Sequence, residues 1–174
     1  SSSGEPTAAT HALPKPGAVA ERLDPDELWA QLSNRFAFSA HYEHERVQQS
    51  IANYSSDPAL IALINERAPL YLPTIARQVM ERGLPGELAL LPVVESKLDP
   101  FARSAESALG LWQFMPATAD GLGLQRDWWF DGRQDPVLAT SAALDYLETL
   151  HSSFDGNWLL ALAAYNAGSA TVQR

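Results

Sequence analysis

The sequence contains no cysteine, so no disulfide and no thiolate-ligated metal can form. Long apolar runs are also missing, and none approaches the roughly 18 residues that cross a bilayer as a helix. Basic residues are scarce: 12 Lys and Arg stand against 21 Asp and Glu, a formal net charge of −9. Such a chain repels phosphate backbones and anionic lipid, which argues against electrostatic capture of either. No basic-then-apolar leader opens the sequence, as in a mature or trimmed product. No phosphate-cradling glycine loop and no nucleophile-elbow serine occurs. His11, His41, His44 and His151 are scattered. His41 and His44, beside Glu43 and Glu45, loosely resemble a ligand pair, but a solvated polar segment explains them better. No metal and no cofactor is expected. The alternating pattern of a strand is absent as well.

What is present suits one helical domain. The 174 residues are 46% hydrophobic, enough for a single core. Ser1 to Ala20 is rich in Ser, Pro, Ala and Thr, with little to anchor a core. It reads equally well as a plain disordered end or as a tether.

Helix starts recur as Asp-Pro, where Asp caps and Pro occupies the first turn. Asp24-Pro25 opens a helix with Leu28, Leu32 and Phe36 at helical spacing, and Glu27 completes a capping box. A polar stretch, His41 to Gln49, leads to Ile51 and Tyr54. Asp57-Pro58 opens another helix, with Leu60, Ile61, Leu63 and Ile64 as its buried stripe. Pro69 and Pro73 are expected to interrupt or restart it. Gly83 is a helix-ending glycine, and Leu84-Pro85-Gly86 turns into the helix carrying Glu95. Lys97 to Ser107 reads as a loop, Gly110 to Met115 as a short helix, and Ala117 as the start of the next. Gly121 and Gly123 break the chain, and Asp127 to Asp135 reads as an ordered aromatic loop. Asp135-Pro136 opens a helix with Ala143, Leu147, Leu150 and Phe154 on one face. After an Asp155-Gly156 turn and an Asn157 cap, Trp158 to Ala167 is apolar nearly all round. It predicts a buried central helix closed by Gly168. The fold class is all-α.

One carboxylate stands out by its setting. On a helix, Glu95 shares its face with Leu88, Leu91 and Pro92, and two valines precede it. A carboxyl at the rim of such a surface loses hydration and stays protonated to higher pH, which suits a general acid. From the local pattern alone, a solvated glutamate in a last helical turn is the commoner case. Candidate second acids are Asp99, Glu106, Asp127, Asp131 and Asp135. None is distinguished; turns and caps explain Asp99 and Asp135, and Asp131 suits bonding within its own loop. Gln113 lies in a crowded apolar segment, where its amide needs partners from protein or from a sugar. Tyr165 and Asn166 close an apolar helix, as cap and core hydroxyl or as cleft residues. Of the five tryptophans, Trp29 and Trp158 are assigned to core.

Three segments, Glu95-Ser96, Gly110-Leu111-Trp112-Gln113 and Ala164-Tyr165-Asn166, resemble the signature of lytic transglycosylases with a soluble-transglycosylase, lysozyme-like domain. The likeness spans about Pro25 to Arg174 and is strongest from Pro85 to Gly168. It implies a lysozyme-like fold of many helices, with an N-terminal helical extension over 21–84 and the catalytic core over 85–174. In such enzymes the Glu of the Glu-Ser motif is both acid and base, a role that falls on Glu95. Ser104, Gln113, Met115, Tyr165 and Asn166 correspond to substrate-binding positions. Trp112 departs from the methionine common across the family and matches one branch of it.

The implied partner is a peptidoglycan strand, cut between N-acetylmuramic acid and N-acetylglucosamine with a 1,6-anhydro product. A hydrolase on the same scaffold, resembling goose-type lysozyme, and a non-catalytic glycan-binding module are the other readings. The resemblance further implies a periplasmic setting, with outer-membrane attachment through a lipid anchor. Members of the family continue beyond the position of Arg174 with further helices and LysM modules. The core is therefore expected to be incomplete at its C-terminus, completed by such modules or by a separate chain.

Overall fold

The computed structural model describes residues 24–38, 40, 42 and 45–170. The expected tail, Ser1 to Ala20, and the pair His41 and His44 lie outside the described residues. Helix α1 runs Pro25–Ser33, α2 Glu45–Ser55 and α3 Pro58–Glu81. A 3-10 turn at Gly86–Leu90 leads directly into α4, Leu91–Ser96. Then follow α5 (Pro116–Gly121), α6 (Pro136–Ser153) and α7 (Trp158–Ala170). Among the described residues there is no strand, only three isolated bridges.

The caps act locally. The Asp24 carboxylate accepts from the N–H of Asp26, Asp57 from Ala59 and Leu60, and Asp135 from Val137 and Leu138. Each satisfies N–H groups that a helix start leaves without a partner. Asn157 accepts from Leu160 at the start of α7.

Four expectations need correction. Leu60, Ile61, Leu63 and Ile64 are not the buried stripe of α3: Ile61 is exposed and the other three are half-buried, because the core meets the helix further along, from Ala68 to Val79. Pro69 and Pro73 do not interrupt α3, which is continuous over 24 residues. Each interior proline costs about 3 kcal/mol. The buried face of the helix, Ala68, Leu72, Ile75, Ala76 and Val79, opposes that cost. Leu72, Ile75 and Val79 alone contribute about 1.5–3 kcal/mol each on burial, enough to offset both prolines.

Gly110 to Met115 is a tight turn, not a helix. The N–H of Leu109 donates to Phe114 O at 3.1 Å, and that of Gln113 to Gly110 O at 3.2 Å. Positive φ values at Gly110 (88°) and Gln113 (53°) take the backbone out of the helical region.

Finally, α7 is not a central helix. It presents Ala161 and Tyr165 inward, while Leu159 and Leu160 are 41% and 49% exposed. Uniform apolarity along a helix does not tell how many of its faces have neighbours. It also runs through Gly168 to Ala170, since one glycine costs only about 1 kcal/mol relative to alanine.

One core cluster joins the described elements other than α2. It includes Leu28 and Leu32 of α1, Leu72 and Ile75 of α3, Leu88, Trp112, Leu144 of α6 and Tyr165 of α7. Helix α4 and the 110–115 turn therefore sit on a common base.

Candidate active site

Helix α4 is six residues long and ends abruptly. Lys97 and Leu98 both adopt left-handed backbone, with φ of 54° and 58°. This conformation costs a residue with a side chain about 1–2 kcal/mol. Their N–H groups close the helix by donating to Val93 O and Pro92 O at 3.0 and 3.1 Å. Leu98 is fully buried, and Arg67 of α3 donates to Lys97 O at 3.1 Å. The turn thus stops α4 one residue after Ser96 and leaves Glu95 on its final turn.

A cavity lies beside that turn. Glu95, Met115, Thr118 and Tyr146 line it, together with Trp112, Gln113, Phe114 and Tyr165. Glu95 is half-buried, and loss of hydration raises its carboxyl above the ordinary value of 4.5. Among the described residues it is the one carboxylate in the lining. The possible second acids are engaged elsewhere. Asp99 accepts from Phe101 N and pairs with Arg67. Asp127 accepts from Trp129 N and Phe130 N, and Asp135 caps α6. Asp131 holds Arg133 at 2.7 Å, and Glu106 is exposed.

The cavity walls are tied together by named bonds. The hydroxyl of Ser96 lies 2.9 Å from the carbonyls of both Pro92 and Leu111, joining α4 to the 110–115 turn. Trp112 Nε1 donates to Thr140 Oγ1 of α6 at 3.0 Å. Tyr165 Oη donates to Trp112 O at 2.8 Å, so α7 grips the same turn from the other side. Burial, and to a lesser degree the nearby Glu95 and Tyr146, hold the Tyr165 phenol far above its usual range. Gln113 Nε2 donates to Ala102 O and Gly110 O, at 2.9 and 2.8 Å. Its donors therefore hold the turn, and its amide oxygen is the atom left over.

Behind the turn sits Arg133, only 4% exposed. It donates to Ser107 O and Phe114 O, and bonds the Asp131 carboxylate. Gly110 touches the same place, where a Cβ would lie 1.9 Å from Arg133 O. Only glycine fits there.

Of the residues singled out from sequence, the structure brings Glu95, Gln113, Met115 and Tyr165 to the cavity. Ser104 instead closes its own loop, its Oγ accepting from Ala108 N at 3.1 Å. Asn166 is exposed next to Tyr165. Sequence reasoning quoted Ser96 only as part of the Glu-Ser motif and gave no role to it, Thr118, Thr140 or Tyr146. Tyr146 carried one usable signal: it lies three residues beyond Ala143, beside the α6 stripe. The bonds of Ser96 and Thr140 carried none, because their partners are distant in sequence.

An all-α domain of lysozyme-like fold, with one dehydrated carboxylate facing tyrosines across a cavity, is the class that these features define. The comparisons are more specific: the chain belongs to the Transglycosylase SLT domain family, whose model matches residues 73–174. It is 38% identical over 153 residues to the membrane-bound lytic murein transglycosylase D of Escherichia coli, covering 87% of this chain and 34% of that protein. It is 31% identical over 150 residues to the soluble lytic murein transglycosylase of Salmonella typhimurium, covering 83% of this chain and 22% of the relative. An X-ray structure of an inactive mutant of the lytic transglycosylase Slt from Pseudomonas aeruginosa superposes with a TM-score of 0.52 at 28% identity. That match covers 86% of this chain and 24% of the other. The chain thus spans about a third or less of the length of these relatives.

Proposed function

We propose that this domain is a peptidoglycan lytic transglycosylase in which Glu95 serves first as acid and then as base. The observation that carries the reading is the dehydrated Glu95 carboxyl, the one carboxylate in the cavity lining among the described residues. Two-carboxylate glycosidases need a second acid across the bond, and substrate assistance is a known way to do without one.

In this reading Glu95 gives its proton to the glycosidic oxygen between N-acetylmuramic acid and N-acetylglucosamine as the C1–O bond breaks. The carbonyl oxygen of the neighbouring acetamide attacks C1 and forms an oxazolinium. Glu95, now a carboxylate, takes the proton of the sugar's own 6-hydroxyl. O6 then displaces the acetamide oxygen from C1, giving a 1,6-anhydro product and returning Glu95 to its acid form. No water is consumed. Holding the 6-hydroxyl next to C1 makes the second step intramolecular. Gln113, Met115 and Tyr165 shape the cavity, and Ser104 and Asn166 are proposed to act from flanking positions. The names of the relatives support murein as the substrate, and a periplasmic setting is proposed because that is where such a substrate lies.

The test is mass spectrometry of purified peptidoglycan after incubation with the chain and with Glu95→Gln. Anhydro-ended muropeptides from the native chain and none from the variant are expected. Products heavier by one water would establish a hydrolase instead. Binding without cleavage would establish a glycan-binding module.

A further inference from the structure

The cavity contains two tyrosines, and their hydroxyls are not equivalent. Tyr165 is buried, and its phenolic hydrogen is committed to Trp112 O at 2.8 Å. The donors of Gln113 are committed to Ala102 O and Gly110 O. Tyr146 differs. It lines the same cavity as Glu95, is half-buried, and its hydroxyl makes no hydrogen bond among the described residues. Its ring packs on that of Tyr165, with centroids 5.8 Å apart and planes at 45°. It also rests against the main core cluster, on the 18-residue capped helix α6. The ring is thus held rigidly while its polar end is uncommitted. The other uncommitted hydroxyl in the lining, Thr118, sits in the first turn of short α5, where a threonine can turn back onto its own backbone.

We infer that the Tyr146 hydroxyl is the cavity's recognition group for the substrate's acetamide, an inference that rests on the proposed function. The free O–H of Tyr146 can donate to the acetamide carbonyl oxygen, which has two lone pairs. That bond turns the carbonyl oxygen toward C1 and leaves its second lone pair to attack. Tyr165 is then the support that positions Tyr146 and the turn, and Tyr146 is the tyrosine that touches sugar.

The probes are tri-N-acetylchitotriose and its fully deacetylated counterpart, titrated calorimetrically. The protein is the full chain carrying Glu95→Gln, with and without Tyr146→Phe. Phenylalanine keeps the ring and its packing and removes only the hydroxyl. Loss of one neutral hydrogen bond predicts roughly tenfold weaker binding of the acetylated trimer. The deacetylated trimer should bind the two proteins alike. Equal weakening of both trimers would reveal a merely structural tyrosine and overturn the inference. So would an unchanged affinity for the acetylated trimer, or no binding of it at all. Persistent cleavage by Glu95→Gln with an otherwise native chain would instead remove the proposed function. The trimer comparison reads Tyr146 independently of that result.

Discussion

The hydroxyl of Ser96 lies 2.9 Å from the carbonyl oxygen of Leu111, across fifteen residues of chain and fully inside the protein. It is the direct bond between the helix that carries Glu95 and the turn that faces it. Ser96→Ala removes a buried hydrogen bond, with an expected cost of about 1–3 kcal/mol. Urea denaturation should show that loss. In the proposed reaction, Glu95 and Gln113 would then lose their fixed spacing, and kcat should fall more than KM rises. Full native stability in the variant would show that this contact carries no energy.

The dehydrated Glu95 predicts an unusual pH dependence. Its folded-state value lies above its unfolded one, so folding favours the protonated form. Between the ordinary value and the raised one the native state binds more protons, and stability falls as pH rises through that window. Above the window the penalty is constant. Glu95→Gln should therefore raise the melting temperature at neutral pH and lose that advantage below about pH 4. Thermal unfolding at both pH values measures it. In the proposed reaction, cleavage should also decline as pH rises through the raised value, because that reaction would use the acid form of Glu95 in its first step.

Gly110 meets Arg133 O where a Cβ would need to be, and its φ is +88°. Gly110→Ala must move backbone, not a flexible side chain. The expected cost is about 3 kcal/mol or more, in the range reserved for steric failure of a core segment. Loss of soluble, cooperatively melting protein is the expected outcome. A variant as stable as the native chain would mean that the 110–115 turn has room to relax.

Arg133 joins Asp131 to the carbonyls of Ser107 and Phe114 while almost fully buried. Truncation in Arg133→Met strands Asp131 and two carbonyls, with an expected loss of about 3–5 kcal/mol. The hydrogen bonds from Arg133 hold Asp131 below its ordinary carboxylate value of 3.8. This interaction therefore stabilises above that value and fades as pH falls through the lowered one. The gap in stability between native chain and variant should narrow in acid. A constant gap from neutral pH down to about pH 2 would argue against the ion pair as its source.

The sequence by itself determined the helix starts at Asp24, Asp57, Asp135 and Asn157. Each cap bonds N–H groups two or three residues away, so the whole interaction lies within a short window. The absence of period-two alternation likewise determined an all-α chain, and the apolar face beside Glu95 marked that carboxylate as worth attention. Tertiary structure decided the rest. Burial of one face of α3 carried the helix through Pro69 and Pro73, which local rules forbid. The bridge between Leu109 and Phe114, with Arg133 behind it, made a turn of a segment that reads as helix. The neighbours of α7, not its composition, set which of its faces is covered. The cavity itself belongs to this second kind, because Glu95, Met115, Tyr146 and Tyr165 are brought together only by contacts between α4, the turn, α6 and α7. Hydrogen bonds and packing that span fifteen to fifty-three residues leave no trace in a local pattern, since neither partner alone shows what it will meet.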